Sequence, residues 1–167
     1  GTAGAIRSMQ GYLTMREHQK LPWATMLQEL ASGTVSPRSK RPSWHHLAIT
    51  RSTERPLLMP PDQVIHAVIV ATYKESREIL APTIEALLSC DYNMKQVIFI
   101  LAYEGRAGTD IERQAKELVS QFKPQFRDAI AVKHPANIPG EIVGKGGNVT
   151  YAGRHLQTYL KKHRIDP

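Results

Sequence analysis

Cysteine occurs once in the 167 residues, at Cys90. One thiol excludes an internal disulfide and a cysteine-based zinc site. No apolar run approaches the ~20 residues that a helix needs to span a bilayer. No start methionine and no leader pattern is visible, and the chain opens mid-pattern at Gly1, which is expected of an excerpt from a longer protein. Glycine lacks the dinucleotide fingerprint after the first strand pattern, which argues against NAD or FAD. The phosphate loop of NTPases is also missing. Only three residues separate Gly140 from Gly144, and Gly146 stands where Ser or Thr must hold magnesium. No internal repeat is present. Acids are the minority charge, 15 against 22 Lys and Arg, for a net +7. An anionic partner suits that balance, whether nucleotide, nucleic acid or acidic membrane surface, although many soluble domains are equally basic.

What is present is organised around residues 63–75, QVIHAVIVATYKE. The run from Val64 to Ala71 is apolar and rich in β-branched side chains, broken only by His66. It reads as a parallel strand buried on both faces and central in its sheet. An amphipathic pattern follows, with Ser76 as cap and Ile79, Leu80, Ile84, Leu87 and Leu88 on one stripe. Pro82 belongs in a first helical turn, so the regular helix is expected from about Ala81. Residues 95–102, KQVIFILA, form the second buried strand, ending at Tyr103-Glu104-Gly105-Arg106. Thr109-Asp110 opens a helix that Pro124 closes. Residues 128–133 are a third strand. A loop over 135–144 leads through Gly144-Lys145-Gly146-Gly147 into a last helix ending near His163. Strands alternating with helices predict an α/β unit over residues 63–167, a mostly parallel three-stranded half-sheet of Rossmann-like type. Such sheets bind ligands at the carboxyl ends of their strands.

Residues 1–62 read as a helical and loop extension with no core of its own. Helices are expected over 5–18, with Ile6, Met9 and Leu13 near one face, and after Pro22, with Gly33 as the stop. Basic residues mixed with Tyr12, Trp23 and several methionines suit a helix lying on a membrane surface. They equally suit helices packed on the flank of the domain. Residues 36–43 are a basic loop. Residues 44–50, WHHLAIT, read as a short edge strand, in which adjacent His45 and His46 face opposite sides and do not share a metal.

Three strand and helix ends carry a resemblance. Ala71-Thr72-Tyr73-Lys74-Glu75 ends the first strand, Ala102-Tyr103-Glu104-Gly105 ends the second, and Gly144-Lys145-Gly146-Gly147 runs on to Tyr151-Ala152-Gly153. Together they resemble family-2 glycosyltransferases, over roughly residues 64–167. Tyr73 and Glu75 match the family's proline-any-tyrosine-asparagine-glutamate ending, with Ala71 and Lys74 departing from it. Glu104 keeps one acid of an acidic pair and Tyr103 replaces the other. Tyr151 stands in for the asparagine of an asparagine-alanine-glycine stretch, one residue late.

The resemblance implies a glycosyltransferase-A fold and a bound nucleotide-diphospho-sugar. The donor-binding candidates are Thr72, Tyr73, Glu75, Glu104, Lys145 and Asn148. Tyr73 can stack on a base, and Glu104 can accept from a pyrimidine imide N–H. Lys145 beside three glycines at a helix start can hold a diphosphate. The plain alternatives are a core aromatic, a solvated acid and a surface lysine. The family's Asp-x-Asp metal motif and catalytic base would lie beyond Pro167. The resemblance therefore implies Mg or Mn held on ligands outside this chain, no catalytic or metal residue within it, and no sugar transfer by it alone. It also implies a glycan or lipid acceptor and association with the cytoplasmic face of a membrane in the intact protein.

Ile142-Val143-Gly144-Lys145-Gly146-Gly147 also looks like the glycine loop of KH RNA-binding domains, and the +7 charge agrees. In that fold the loop joins two helices. Pro139 and Gly140 are poor residues for the first of them, so a nucleic-acid partner is the weaker expectation. A non-catalytic α/β interaction module is a third reading.

Overall fold

The computed structural model describes residues 2–36, 40–55, 58–140 and 144–166. The chain divides into two compact units, Gly1–Asp62 and Gln63–Pro167. Among the described residues there are six α-helices and one three-stranded, all-parallel sheet. None of these helices is long and apolar enough to cross a membrane.

The first unit holds α1 (Thr2–His18), α2 (Trp23–Ser32) and α3 (Ser43–Glu54). The side chains of α1 from residue 3 onward are exposed, Ile6, Met9 and Leu13 included. Gly33 ends α2 in the left-handed conformation, φ 70°, and its N–H donates to the Glu29 carbonyl. Residues 44–50 are helical, not an edge strand. Pro42 precedes the first turn, and His45 and Ile49, four residues apart, are the buried positions of α3. That spacing puts both on one helical face, whereas every described strand lies in the other unit. His45 is a packing histidine whose Nε2 lies 2.8 Å from Glu29 Oε2, while His46 is exposed. Arg41 completes the cluster, its Nε 2.9 Å from Oε2 and its Nη2 3.0 Å from Oε1 of Glu29.

The second unit runs β1 (His66–Thr72), α4 (Arg77–Leu88), β2 (Val97–Glu104), α5 (Thr109–Phe122), β3 (Asp128–His134) and α6 (Lys145–Lys162). The strand order is β1-β2-β3. The central strand is therefore β2, and β1 has one neighbour among the described residues, contrary to the sequence expectation. The burial follows suit: every residue of β2 is buried, whereas His66 and Ala67 of β1 are exposed and its middle is half-buried. The difference is physical. The β2 run is unbroken and bulky, while β1 starts on a polar ring and carries alanines at 67 and 71.

Alternate β2 residues build two cores. Val97, Phe99, Leu101 and Tyr103 pack with Leu80 and Ile84 of α4 and Ala115, Leu118, Val119 and Phe122 of α5. Ile98, Ile100 and Ala102 pack on the opposite face with Ala152, Leu156 and Tyr159 of α6. Full burial of each large aliphatic or aromatic side chain contributes roughly 1.5–3 kcal/mol. Pro82 sits inside α4, which starts at Arg77 and not near Ala81. Buried Leu80 and Ile84 flank the proline and hold the helix across it, so the one bond lost to the Glu78 carbonyl is tolerated.

The helix face changes between α5 and α6. The helices α4 and α5 lie on one side of the sheet; α6 follows β3, lies on the other, and reaches back to the end of β1. Two polar contacts fix α6. Near its carboxyl end, Tyr159 donates to Asp128 Oδ2 at 2.6 Å, at the start of β3. Burial, with that carboxylate, pushes the Tyr159 hydroxyl up to about 12. Near its amino end, Asn148 Nδ2 donates to the Thr72 and Ala102 carbonyls at 3.3 and 3.0 Å.

Candidate functional site

A crevice opens where this reversal brings the start of α6 over the carboxyl ends of β1 and β2. The carboxyl ends of parallel strands are where open α/β sheets hold ligands. The cavity is about 260 Å³ and is lined by Ala71, Thr72, Tyr73, Glu75, Glu104, Arg106, Gly144, Lys145 and Asn148. All six residues expected from the sequence are there, drawn from three separate segments. Their roles within it differ.

Thr72 and Glu75 are bonded to each other. Glu75 Oε2 accepts from the Thr72 hydroxyl at 2.7 Å and from the Tyr73 backbone N–H at 2.6 Å. The Thr72 hydroxyl, then the Tyr73 amide, hold the Glu75 carboxyl down at about 2. The pair closes the turn that leaves β1 and presents the next side chain, Tyr73. Tyr73 is 40% exposed, so it is no core aromatic. The Arg106 guanidinium carbon lies 4.8 Å from its centroid and Lys74 Nζ 5.2 Å from it.

Glu104 ends β2 and is only 4% exposed. It stands in register with His134 of β3, and His134 Nδ1 is 3.1 Å from its Oε2. Arg106 Nε donates to the same oxygen at 3.2 Å. Oε1 has no hydrogen-bond partner among the described residues, which leaves an acceptor of fixed direction at a strand end.

The third wall is cationic. Gly144 caps α6 and Lys145 is its first residue, exposed, with no acid in the first turn and no side-chain cap. The amides of residues 145–147 have no intrahelical partner and lie at the positive end of an 18-residue helix. Asn148 is 2% exposed and faces the strand-end carbonyls; its Oδ1 is buried without a partner among the described residues. It builds the floor of the cavity.

The KH-like alternative requires a helix ahead of the glycine loop. Residues 135–140 form none, with Asn137 and Gly140 at positive φ, and Ile142 and Val143 lie outside the described residues. The carboxylates present do not suit a divalent cation. Glu75 is closed on its own turn, Glu104 is held by a guanidinium, and no cluster of three ligating side chains occurs among the described residues.

Arg106 and His134 are not among the site residues expected from the sequence. The signal for Arg106 was present: a cation two residues beyond an acid, across one glycine, at a strand end. His134 carried none, because its role depends on strand register. The chain matches no protein-family model, no curated protein and no solved structure.

Proposed function

We propose that the second unit is the donor-binding half of a family-2 glycosyltransferase with the glycosyltransferase-A fold. The intact enzyme binds a nucleotide-diphospho-sugar and transfers the sugar to a glycan or lipid acceptor. One observation carries the reading. Three segments distant in sequence, each expected from its own motif to serve the donor, line one cavity at the carboxyl ends of parallel strands. The chemistry is divided as a nucleotide divides. Tyr73 offers a ring for the base, and Glu104 Oε1 an acceptor for an imide N–H. Lys145 and the first-turn amides of α6 offer positive charge and donors for the diphosphate.

The resemblance implies Mg or Mn on residues other than these, and that group would stabilise the leaving diphosphate. What this chain's residues do is bind and orient the donor. The first unit is assigned a membrane-facing surface, at the cytoplasmic face in the intact protein. Exposed Ile6, Met9, Leu13 and Trp23, with the basic Arg7 and Arg16 of α1, support that assignment.

Titration of the 167-residue chain with uridine diphosphate, followed by NMR, tests the donor site. Saturable binding with shifts at Tyr73, Glu104 and Lys145 is expected. A chain that ignores the nucleotide but binds single-stranded RNA in a salt-dependent way, lost on Gly144→Asp and Lys145→Asp, would overturn the reading.

A further inference from the structure

We propose that Arg106 is a positioning residue for the nucleobase, joining the ring that stacks on the base to the carboxylate that reads its edge. The inference rests on the donor-site reading above and adds a residue that the glycosyltransferase resemblance does not supply. Arg106 lies in the turn after β2, Gly105–Ala107. A side chain at 105 would bring a Cβ within 3.0 Å of the His134 carbonyl oxygen and 3.1 Å of Lys133 Cε. Glycine there lets the turn fold flat against the end of β3 and carries Arg106 back over the strand ends.

Two contacts then use two different properties of one guanidinium. Its positive charge lies over the Tyr73 ring, with Cζ 4.8 Å from the centroid. Its Nε–H donates to Glu104 Oε2 at 3.2 Å. His134 stands at the same oxygen, so Oε2 is held from two sides and Oε1 keeps one direction. The Glu104 side chain is 6% exposed and that of Arg106 is 37% exposed. The arginine is thus the solvent-side wall of an otherwise buried contact. A lysine cannot replace it, because an ammonium has no planar face and no Nε fork.

The competing role for a cation in this cavity is to neutralise the diphosphate. The two are separated by comparing uridine, which has no phosphate, with uridine diphosphate. The probes are uridine, cytidine and uridine diphosphate, titrated by NMR into the wild-type chain, Arg106→Ala and Arg106→Lys, with thermal melts as the folding control. Arg106→Ala is expected to weaken uridine and uridine diphosphate by the same factor, roughly tenfold. It should also narrow the preference for uridine over cytidine, and Arg106→Lys should restore little. If only uridine diphosphate weakens, and Arg106→Lys restores it, Arg106 serves the diphosphate and the inference is overturned. Unchanged affinities in both variants overturn it while leaving the donor site standing. A wild-type chain that binds none of the three overturns the donor-site reading and this inference with it.

Discussion

Asn148 donates a hydrogen bond to the Ala102 carbonyl at 3.0 Å, tying the first turn of the last helix to the end of the central strand. The same amide reaches Thr72, the end of β1, at 3.3 Å. One side chain therefore sets the spacing of all three walls of the cavity. Its own Oδ1 has no partner among the described residues, so part of the gain is already offset by desolvation.

Asn148→Ala should lower the unfolding free energy of the second unit by about 1–3 kcal/mol, since two buried carbonyls lose a donor. Asn148→Asp should be worse, because a carboxylate would face those carbonyl oxygens. Urea denaturation followed by far-UV circular dichroism checks the order. Equal stability in all three proteins would mean that the amide is not holding α6.

Lys145→Ala and Tyr73→Ala should fail differently. Removal of the lysine should weaken uridine diphosphate about tenfold and leave uridine untouched. Removal of the ring should weaken both, roughly tenfold or more, by loss of stacking. The same NMR titrations read both outcomes, and a Lys145→Ala protein that loses uridine would contradict the assignment.

Acid should act on the first unit through Glu29. Arg41, then His45, holds its carboxyl down at about 2 against an ordinary 4.5. The folded pKa is lowered, so the stability it contributes is complete above about 4.5 and is lost as pH falls through about 2. Trp23 and Trp44, stacked at 5.9 Å in the same unit, provide the fluorescence readout. Arg41→Ala should move the transition to higher pH. A transition unmoved by that change would place the acid sensitivity elsewhere.

Vesicles test the first unit. Anionic phosphatidylglycerol vesicles should co-sediment the chain, and Ile6→Asp with Met9→Asp should release it. Both side chains are about 60% exposed on a helix that buries none of its described side chains. Retention of the double variant would show that α1 does not carry the contact.

The chain alone should transfer no sugar. Its two strand-end acids on this face, Glu75 and Glu104, are engaged by Thr72 and by Arg106 with His134. Neither is a free base for an acceptor hydroxyl. Release of uridine diphosphate from a labelled donor by the wild-type chain, abolished by Glu104→Gln, would refute this.

Much of the second unit was legible because its signals are local. The apolar run of β2, the stripe of α5 and the glycine start of α6 each announce themselves within a dozen residues. Strand position was not legible: an apolar run such as β1 looks the same at an edge and in the centre until its neighbours are known. Residues 44–50 misled because Trp, Ile and Thr favour strands, while the buried pairing of His45 with Glu29 is a contact across sixteen residues that favours helix. At the site, residue identities were legible and directions were not. Nothing in the sequence says that Asn148 faces the strand-end carbonyls, or that Thr72 is closed on Glu75.

The return of α6 across the sheet also orders events during folding. The three strands pair in the order in which they are made, and each pairing joins positions about thirty residues apart. The contact between Asn148 and Thr72 instead joins positions 76 residues apart. The sheet can therefore form while the crevice does not yet exist. In stopped-flow refolding, the dichroism of the sheet and its packed helices should return first, and uridine nucleotide binding only when the last helix docks.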